Sequence, residues 1–314
     1  MRLAFITLLV FFILNLGVDF YIFRALMSDL RRQFWSKIQF WTALIFAIGL
    51  IAMMIIPINT LPDSAIRCLM WVIFGYIAVY LAKYIFFIFD ICSRIPLLGH
   101  HPRWKWLSFI GALLGLGAFC WLWWGALYTR FSYDINKVDV KIKNLPENFE
   151  GFRIVQISDL HLGTFSDDTT FVNRIVTEVN SIKPDIVLFT GDIVNRNSDE
   201  LKPFISTLSR LHAPYGVYSI LGNHDYGDYE EWPDENAKSA NLDSLVSYQK
   251  QMGWKLMRNE TAWLVNKGDS IALIGVENVG DPPFHTYGDL SKAYSDINDN
   301  HTKILMSHNP AHWH

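Results

Sequence analysis

The chain changes period near its middle. Up to residue 127 four long apolar runs follow one another, at about 3–23, 39–58, 68–90 and 107–127. Each is near 20 residues, the length at which an α-helix crosses a hydrocarbon core of about 30 Å. Trp35, Trp41, Trp104, Trp106, Trp121, Trp123 and Trp124 gather at the ends of the runs, as in an interfacial aromatic belt. Four such runs with little polar sequence between them predict a four-span transmembrane domain over residues 1–127.

Beyond a linker at 128–138 the runs shorten. Val138-Asp139-Val140-Lys141-Ile142 alternates like a strand with one buried face. Ile154–Ile157, Ile186–Phe189, Val217–Leu221, Ile271–Ile274 and Ile304–Met306 are rich in β-branched residues and read as strands buried on both faces. Between them, Phe171, Ile175, Val176, Val179 and Ile182 share one helical face, behind candidate caps at Asp168 and Thr169. Leu201, Ile205, Leu208 and Leu211 form a second stripe, and Asn241 to about Met252 a third helix. Strand and helix in alternation predict parallel strands in an α/β domain. Tyr226–Glu235 and Gly280–Gly288, with Pro282 and Pro283, read as loops.

Charge follows the same division. The 314 residues are 51% hydrophobic and 18% charged, too apolar for a disordered chain. Residues 1–127 hold ten Lys and Arg against four Asp and Glu; residues 128–314 hold 17 against 26. An acidic second part argues against nucleic acid as a ligand. Cys68, Cys92 and Cys120 all lie in the apolar part, so the second part has neither disulfides nor a cysteine zinc site. Arg24, Arg31, Arg32 and Lys37 follow the first run, and Arg94, Arg103 and Lys105 the third. By the positive-inside rule these loops are cytoplasmic and the second part lies outside. The first run lacks a small-x-small cleavage site and reads as an uncleaved helix. Arg31-Arg32 resembles a twin-arginine signal, though an ordinary basic loop is the simpler account. Asp19 and Lys83 fall at similar depth in two runs of the same direction, which predicts a packed contact; snorkelling of each to the interface is the alternative.

The chemistry stands at strand ends. Asp159 and His161 follow the first strand, Gly191-Asp192 the second, Gly222-Asn223-His224-Asp225 the third and Ser307-His308 the last. In open α/β sheets ligands bind beyond the carboxyl ends of strands. From an extended strand end, Asp159 and His161 would point the same way. Carboxylate, imidazole and amide oxygen suit Mn, Fe or Zn. The two oxygens of Asp192 can bridge two such ions, which polarise a phosphoryl group and supply a nucleophile. His224 is placed to protonate a leaving alkoxide, and Asp225 to orient that imidazole. An isolated Asp-x-His or Gly-Asp is weak; the ordered set is not.

With these motifs the chain resembles the calcineurin-like metallophosphoesterase superfamily over roughly residues 139–314. Ile157-Ser158-Asp159-Leu160-His161-Leu162-Gly163 and Ser307-His308-Asn309-Pro310 are similar to its membrane-associated bacterial branch, with its YaeI-type phosphodiesterases and UDP-2,3-diacylglucosamine hydrolases. The resemblance implies a β-sandwich flanked by helices. It implies two divalent metal ions, the first on Asp159 and His161, the second on Asn223 and His308, with Asp192 bridging and His224 catalytic. Family members continue to a Gly-His-x-His motif, which this chain lacks; His312 and His314 have its spacing without its glycine. The expectation is an incomplete, C-terminally truncated domain. The implied function is a membrane-anchored hydrolase of phosphomonoester, phosphodiester or pyrophosphate bonds, in some cases lipid-linked, at the outer face of a bacterial inner membrane. A catalytically impaired membrane sensor is the alternative.

Overall fold

The computed structural model describes residues 2–28, 33–55, 61, 63–280, 285–295 and 300–310. Arg31, Arg32, Pro282, Pro283, His312, His314 and the end of the second apolar run lie outside them. The chain divides into two compact units, Met1–Asn136 and Lys137–His314.

The first unit is helical, with α1 (Arg2–Ser28), α2 (Gln33–Ile55), α3 (Asp63–Arg94) and α4 (Lys105–Leu127). Among the described residues two helices, Ser64–Gly99 and Lys105–Phe131, are long and apolar enough to cross a membrane. Helices α3 and α4 approach closely through Gly111 and Gly115, both buried. A Cβ on Gly115 would sit 2.7 Å from the Ala82 carbonyl oxygen. Small residues four apart allow this approach where lipid offers no hydrophobic drive between helices.

Polar side chains turn inward here. Lys83 Nζ lies 2.7 Å from Asp19 Oδ1, so the contact predicted from equal depth is formed and snorkelling is not. Gln39 Nε2 also donates to Asp19 Oδ1 at 2.8 Å, and the Tyr80 hydroxyl to Oδ2 at 2.6 Å. A second carboxylate, Asp90, accepts from Tyr21 at 2.7 Å, from Arg94 at 3.0 Å and from Arg103. That site ties α1, α3 and the connection before α4 together.

The second unit holds two sheets. β1 (Ile154–Ile157), β2 (Ile186–Phe189), β3 (Val217–Ser219) and β4 (Lys255–Leu256) form a sheet in that order, all parallel. α5 (Thr170–Ile182), α6 (Ile205–Leu208) and α7 (Glu235–Gln251) cross between its strands. β5 (Glu260–Asn266) and β6 (Asp269–Gly275) make an antiparallel hairpin, and β7 (Lys303–Met306) adds parallel to β6. A last turn, α8 (Leu290–Ala293), precedes β7.

The period of two along each strand explains the layering. In β2, Val187 and Phe189 enter the core under the helices with Val172, Val176 and Leu245. Ile186 and Leu188 face the other way and meet Leu264, Ile271, Leu273 and Met306 of the second sheet. In β6, Ala272 and Ile274 turn from that sheet-to-sheet core toward Ala293 and Tyr294. The result is two packed sheets with helices outside, the β-sandwich arrangement that the resemblance implies.

Several elements differ from the sequence expectation. Val138–Ile142 forms no strand; its residues are exposed and unpaired, because alternation marks a face and does not supply a neighbouring strand. The Leu201–Leu211 stripe predicts a helix, but Pro203 lies inside it. The segment folds as a 3₁₀ helix over Ser198–Phe204 and the single turn α6. Helix α7 begins at Glu235, six residues before the apolar pattern shows it, where Asp234 caps the Ala237 amide. β4 and β5 are not among the expected strands: one is two residues long, the other half exposed.

Candidate metal centre

All three βα connections of the parallel sheet open at one edge, and β7 ends beside it. The loop after β1 is held to the loop after β2 by amides of Asp159, His161 and Leu162, which donate to the carbonyls of Gly191, Asp192 and Ile193 at 3.0–3.1 Å. Asp159 and His161 do not continue the strand. Their φ angles are +55° and +44°, and Asp192 stands at +57°. Non-glycine residues in this region carry strain and persist only where their surroundings hold them. The two side chains therefore converge through left-handed backbone, not through the strand alternation expected from spacing.

Two glycines permit the crowding. A Cβ on Gly191, at φ +99°, would lie 2.5 Å from the Gly222 amide nitrogen and 2.9 Å from His308 Nδ1. A Cβ on Gly222 would lie 2.1 Å from Asp192 Oδ1.

Asp192 is the centre. Its Oδ2 lies 3.5 Å from His161 Nε2, and its Oδ1 lies 3.5 Å from His308 Nε2. The His224 amide donates to Oδ1 at 2.9 Å. Ligand atoms of Asp159, Asp192 and His308 lie within 4.8 Å of one another, as do those of His161, Asp192 and His224. Asp159 and His161 fall in different groups that share Asp192, and they also approach each other, with Asp159 Oδ1 3.8 Å from His161 Nε2. Burial would raise the Asp192 carboxyl, but His308 and the His224 amide hold it below its ordinary value. Burial would lower the His308 imidazole, but Asp192 and the Thr190 carbonyl push it up to about 9.

The histidines are oriented by backbone. His308 Nδ1 is 2.8 Å from the Thr190 carbonyl, and His224 Nδ1 is 2.7 Å from the Asn195 carbonyl. A carbonyl only accepts, so each Nδ1 carries the proton and each Nε2 is left to act. Ligating histidines are held in this way. Asn223 Oδ1 lies 3.1 Å from His308 Nε2, and its Nδ2 donates to the Tyr229 hydroxyl at 2.9 Å. Tyr229 also stacks on the His224 ring, centroids 4.2 Å apart and planes 20° off parallel. The donor set fits divalent cations: a shared buried carboxylate, imidazoles fixed through Nδ1 and an amide oxygen.

Asp225 does not orient the His224 ring as expected. It is fully buried and accepts from the amides of Gly222, Asp192 and Ile193 at 2.8–2.9 Å and of Val194 at 3.3 Å. It staples the loop after β2 to the loop after β3. Desolvation pushes its carboxyl up to about 7, against those amides. The residues missed from sequence are Thr190 and Asn195, which act through backbone carbonyls that any residue has, and Tyr229. Only its place five residues after His224, in an aromatic loop, hints at the last.

Comparison with known proteins places both units. Residues 1–130 match a family described as probable calcineurin-like phosphoesterase, transmembrane domain. The UDP-2,3-diacylglucosamine pyrophosphatase LpxG of Chlamydia trachomatis is 31% identical over 210 residues, covering 53% of this chain and 60% of the relative. An uncharacterized metallophosphoesterase of Campylobacter jejuni is 30% identical over 178 residues, covering 56% and 42%. The uncharacterized metallophosphoesterase YkuE of Bacillus subtilis is 33% identical over 180 residues, covering 54% and 55%. The chain thus spans between 42% and 60% of the length of these relatives. Residues 152–314, more than half of the chain, match the calcineurin-like phosphoesterase family, and the chain belongs to it.

Proposed function

We propose that this chain is a membrane-anchored, metal-dependent hydrolase of phosphoester or pyrophosphate bonds. One observation carries the proposal: the two oxygens of buried Asp192 face two different imidazoles, each at 3.5 Å. Such an arrangement supports a carboxylate able to bridge two cations. Asp159, His161 and Asp192 would hold one ion, and Asp192, Asn223 and His308 the other. Two ions held there would supply positive charge against a phosphoryl group and a nucleophile at neutral pH.

The chain's own residues do the rest. His224 is locked by the Asn195 carbonyl and by Tyr229, so Nε2 is its acting atom. From there it donates a proton to the leaving oxygen, or charge to the phosphoryl oxygens. Asp225 acts at one remove, by fixing the backbone that carries Asp192, Asn223 and His224.

Residues 1–127 form the anchor, 128–138 the linker and 139–314 the hydrolase domain. All four helices described in the first unit would span the bilayer of a bacterial inner membrane, and the loop charges support a hydrolase domain outside. A site tethered to a bilayer favours a lipid-linked substrate, and the name of the chlamydial relative supports a pyrophosphate bond in it. Hydrolysis of bis(p-nitrophenyl) phosphate and of a lipid-linked pyrophosphate, lost with chelator and restored by Mn²⁺, is the expected result. Activity unaffected by chelator, or unchanged in Asp192→Asn, overturns the proposal. Labelling of a cysteine introduced at residue 135 by an impermeant reagent in intact cells tests the orientation.

A further inference from the structure

We propose that Tyr229 is a positioning residue that decides which end of the Asn223 amide faces the metal centre. This rests on the reading above in which Asn223 and His308 hold one of the two ions. An asparagine amide has two ends of almost the same shape, and only the oxygen binds a cation. A half-turn about the last side-chain bond would present the NH₂ group instead. Two contacts oppose that turn. His308 Nε2 stands 3.1 Å from Oδ1 on one side. The Tyr229 hydroxyl takes the NH₂ group on the other side at 2.9 Å. A cation held by Oδ1 and Nε2 would take the place of the first contact. The tyrosine contact survives.

Tyr229 is itself well placed to act as a fixed point. Its ring lies flat on His224. Its loop is anchored on one side by buried Tyr226, stacked on Tyr287 with centroids 3.7 Å apart. On the other side Glu230 pairs with Arg196 at 2.8 Å, beside the Asn195 carbonyl that holds His224. The phenol therefore ties the amide oxygen and the imidazole into one frame. Its hydroxyl serves Asn223 and its ring serves His224.

The test is Mn²⁺ binding to the full chain in detergent, followed by calorimetry and by electron paramagnetic resonance of unbound Mn²⁺. Partners of this kind change metal affinity by about ten- to a hundredfold, and Tyr229→Phe should weaken one of two ions by that factor. The other ion should stay within about twofold of wild type, as for a site without shared partners. Asn223→Asp provides the decisive background, because both ends of a carboxylate are oxygen. There Tyr229→Phe should change binding by no more than about twofold. Wild-type binding in Tyr229→Phe, with binding weakened in Asn223→Ala, overturns the role of Tyr229 alone. An equal loss on the Asn223→Asp background also overturns it, since the tyrosine would then act by packing. Unchanged binding in Asn223→Ala instead overturns the ligand assignment on which the proposal rests.

Discussion

Asp19, among the helices, and Asp192, at the sheet edge, are 5% and 3% exposed. Both carboxylates face nitrogen-bearing side chains, but the spacing differs. Asp19 is closed: Lys83 and Gln39 on one oxygen and Tyr80 on the other stand at 2.6–2.8 Å. Asp192 is open: its two imidazole partners stand back at 3.5 Å. Nitrogen and oxygen donors bind zinc-like ions at about 2.0–2.2 Å, so two donors 3.5 Å apart can share one. Donors at 2.7 Å have no such room and are complete as they stand. A buried carboxylate is thus complete when its partners close on it, and leaves room for a cation when they stand back. The His308 imidazole cannot close on Asp192, because the Thr190 carbonyl grips its far nitrogen.

The contrast can be broken at either end. Asp192→Asn should bring hydrolysis down to the level of the metal-free protein, with the far-ultraviolet circular dichroism unchanged; retained turnover would remove Asp192 from the centre. Asp19→Asn or Lys83→Met should destabilise the helical unit by about 3–5 kcal/mol, since each leaves a buried group unmatched. The double variant should lose no more than either single one in thermal unfolding in detergent; additive losses would show that the two groups act separately. Gly115→Ala, which forces a methyl against the Ala82 carbonyl, should cost about 1–3 kcal/mol in the same assay and leave Mn²⁺ binding alone.

The smallest effect is a slope. With His308 raised to about 9, its attraction to Asp192 stabilises the metal-free protein fully below the ordinary histidine value of about 6.5. It is lost as pH rises through about 9. An ion must displace that same proton, so Mn²⁺ affinity should rise with pH by up to about tenfold per unit and flatten above pH 9. A flat profile between pH 7 and 9 would show that no proton is displaced.

Much of this was legible because polar residues in apolar surroundings are conspicuous. Asp19 and Lys83 stand out from their runs, and their depths alone pair them. Asp159, Asp192, Asn223 and His308 stand out at the ends of β-branched strands. The local fold of those strand ends was not legible. Asp159 and His161 converge by adopting φ values that spacing cannot signal. Carbonyls of Thr190 and Asn195 orient the histidines, and a carbonyl leaves no mark in a sequence. Asp225 was placed beside the right histidine and given the wrong task, because a carboxylate next to an imidazole in sequence invites pairing with it. Its burial drives it instead onto four amides.

That last arrangement bears on exchange with solvent. The amide protons of Asp192, Ile193 and Gly222 end on one buried carboxylate, and no single loop can release them. Deuterium should enter these three positions together, at the rate at which the whole strand-end assembly opens. The loops that carry the candidate ligands would then behave as one cooperative block, whose opening clock is set by Asp225.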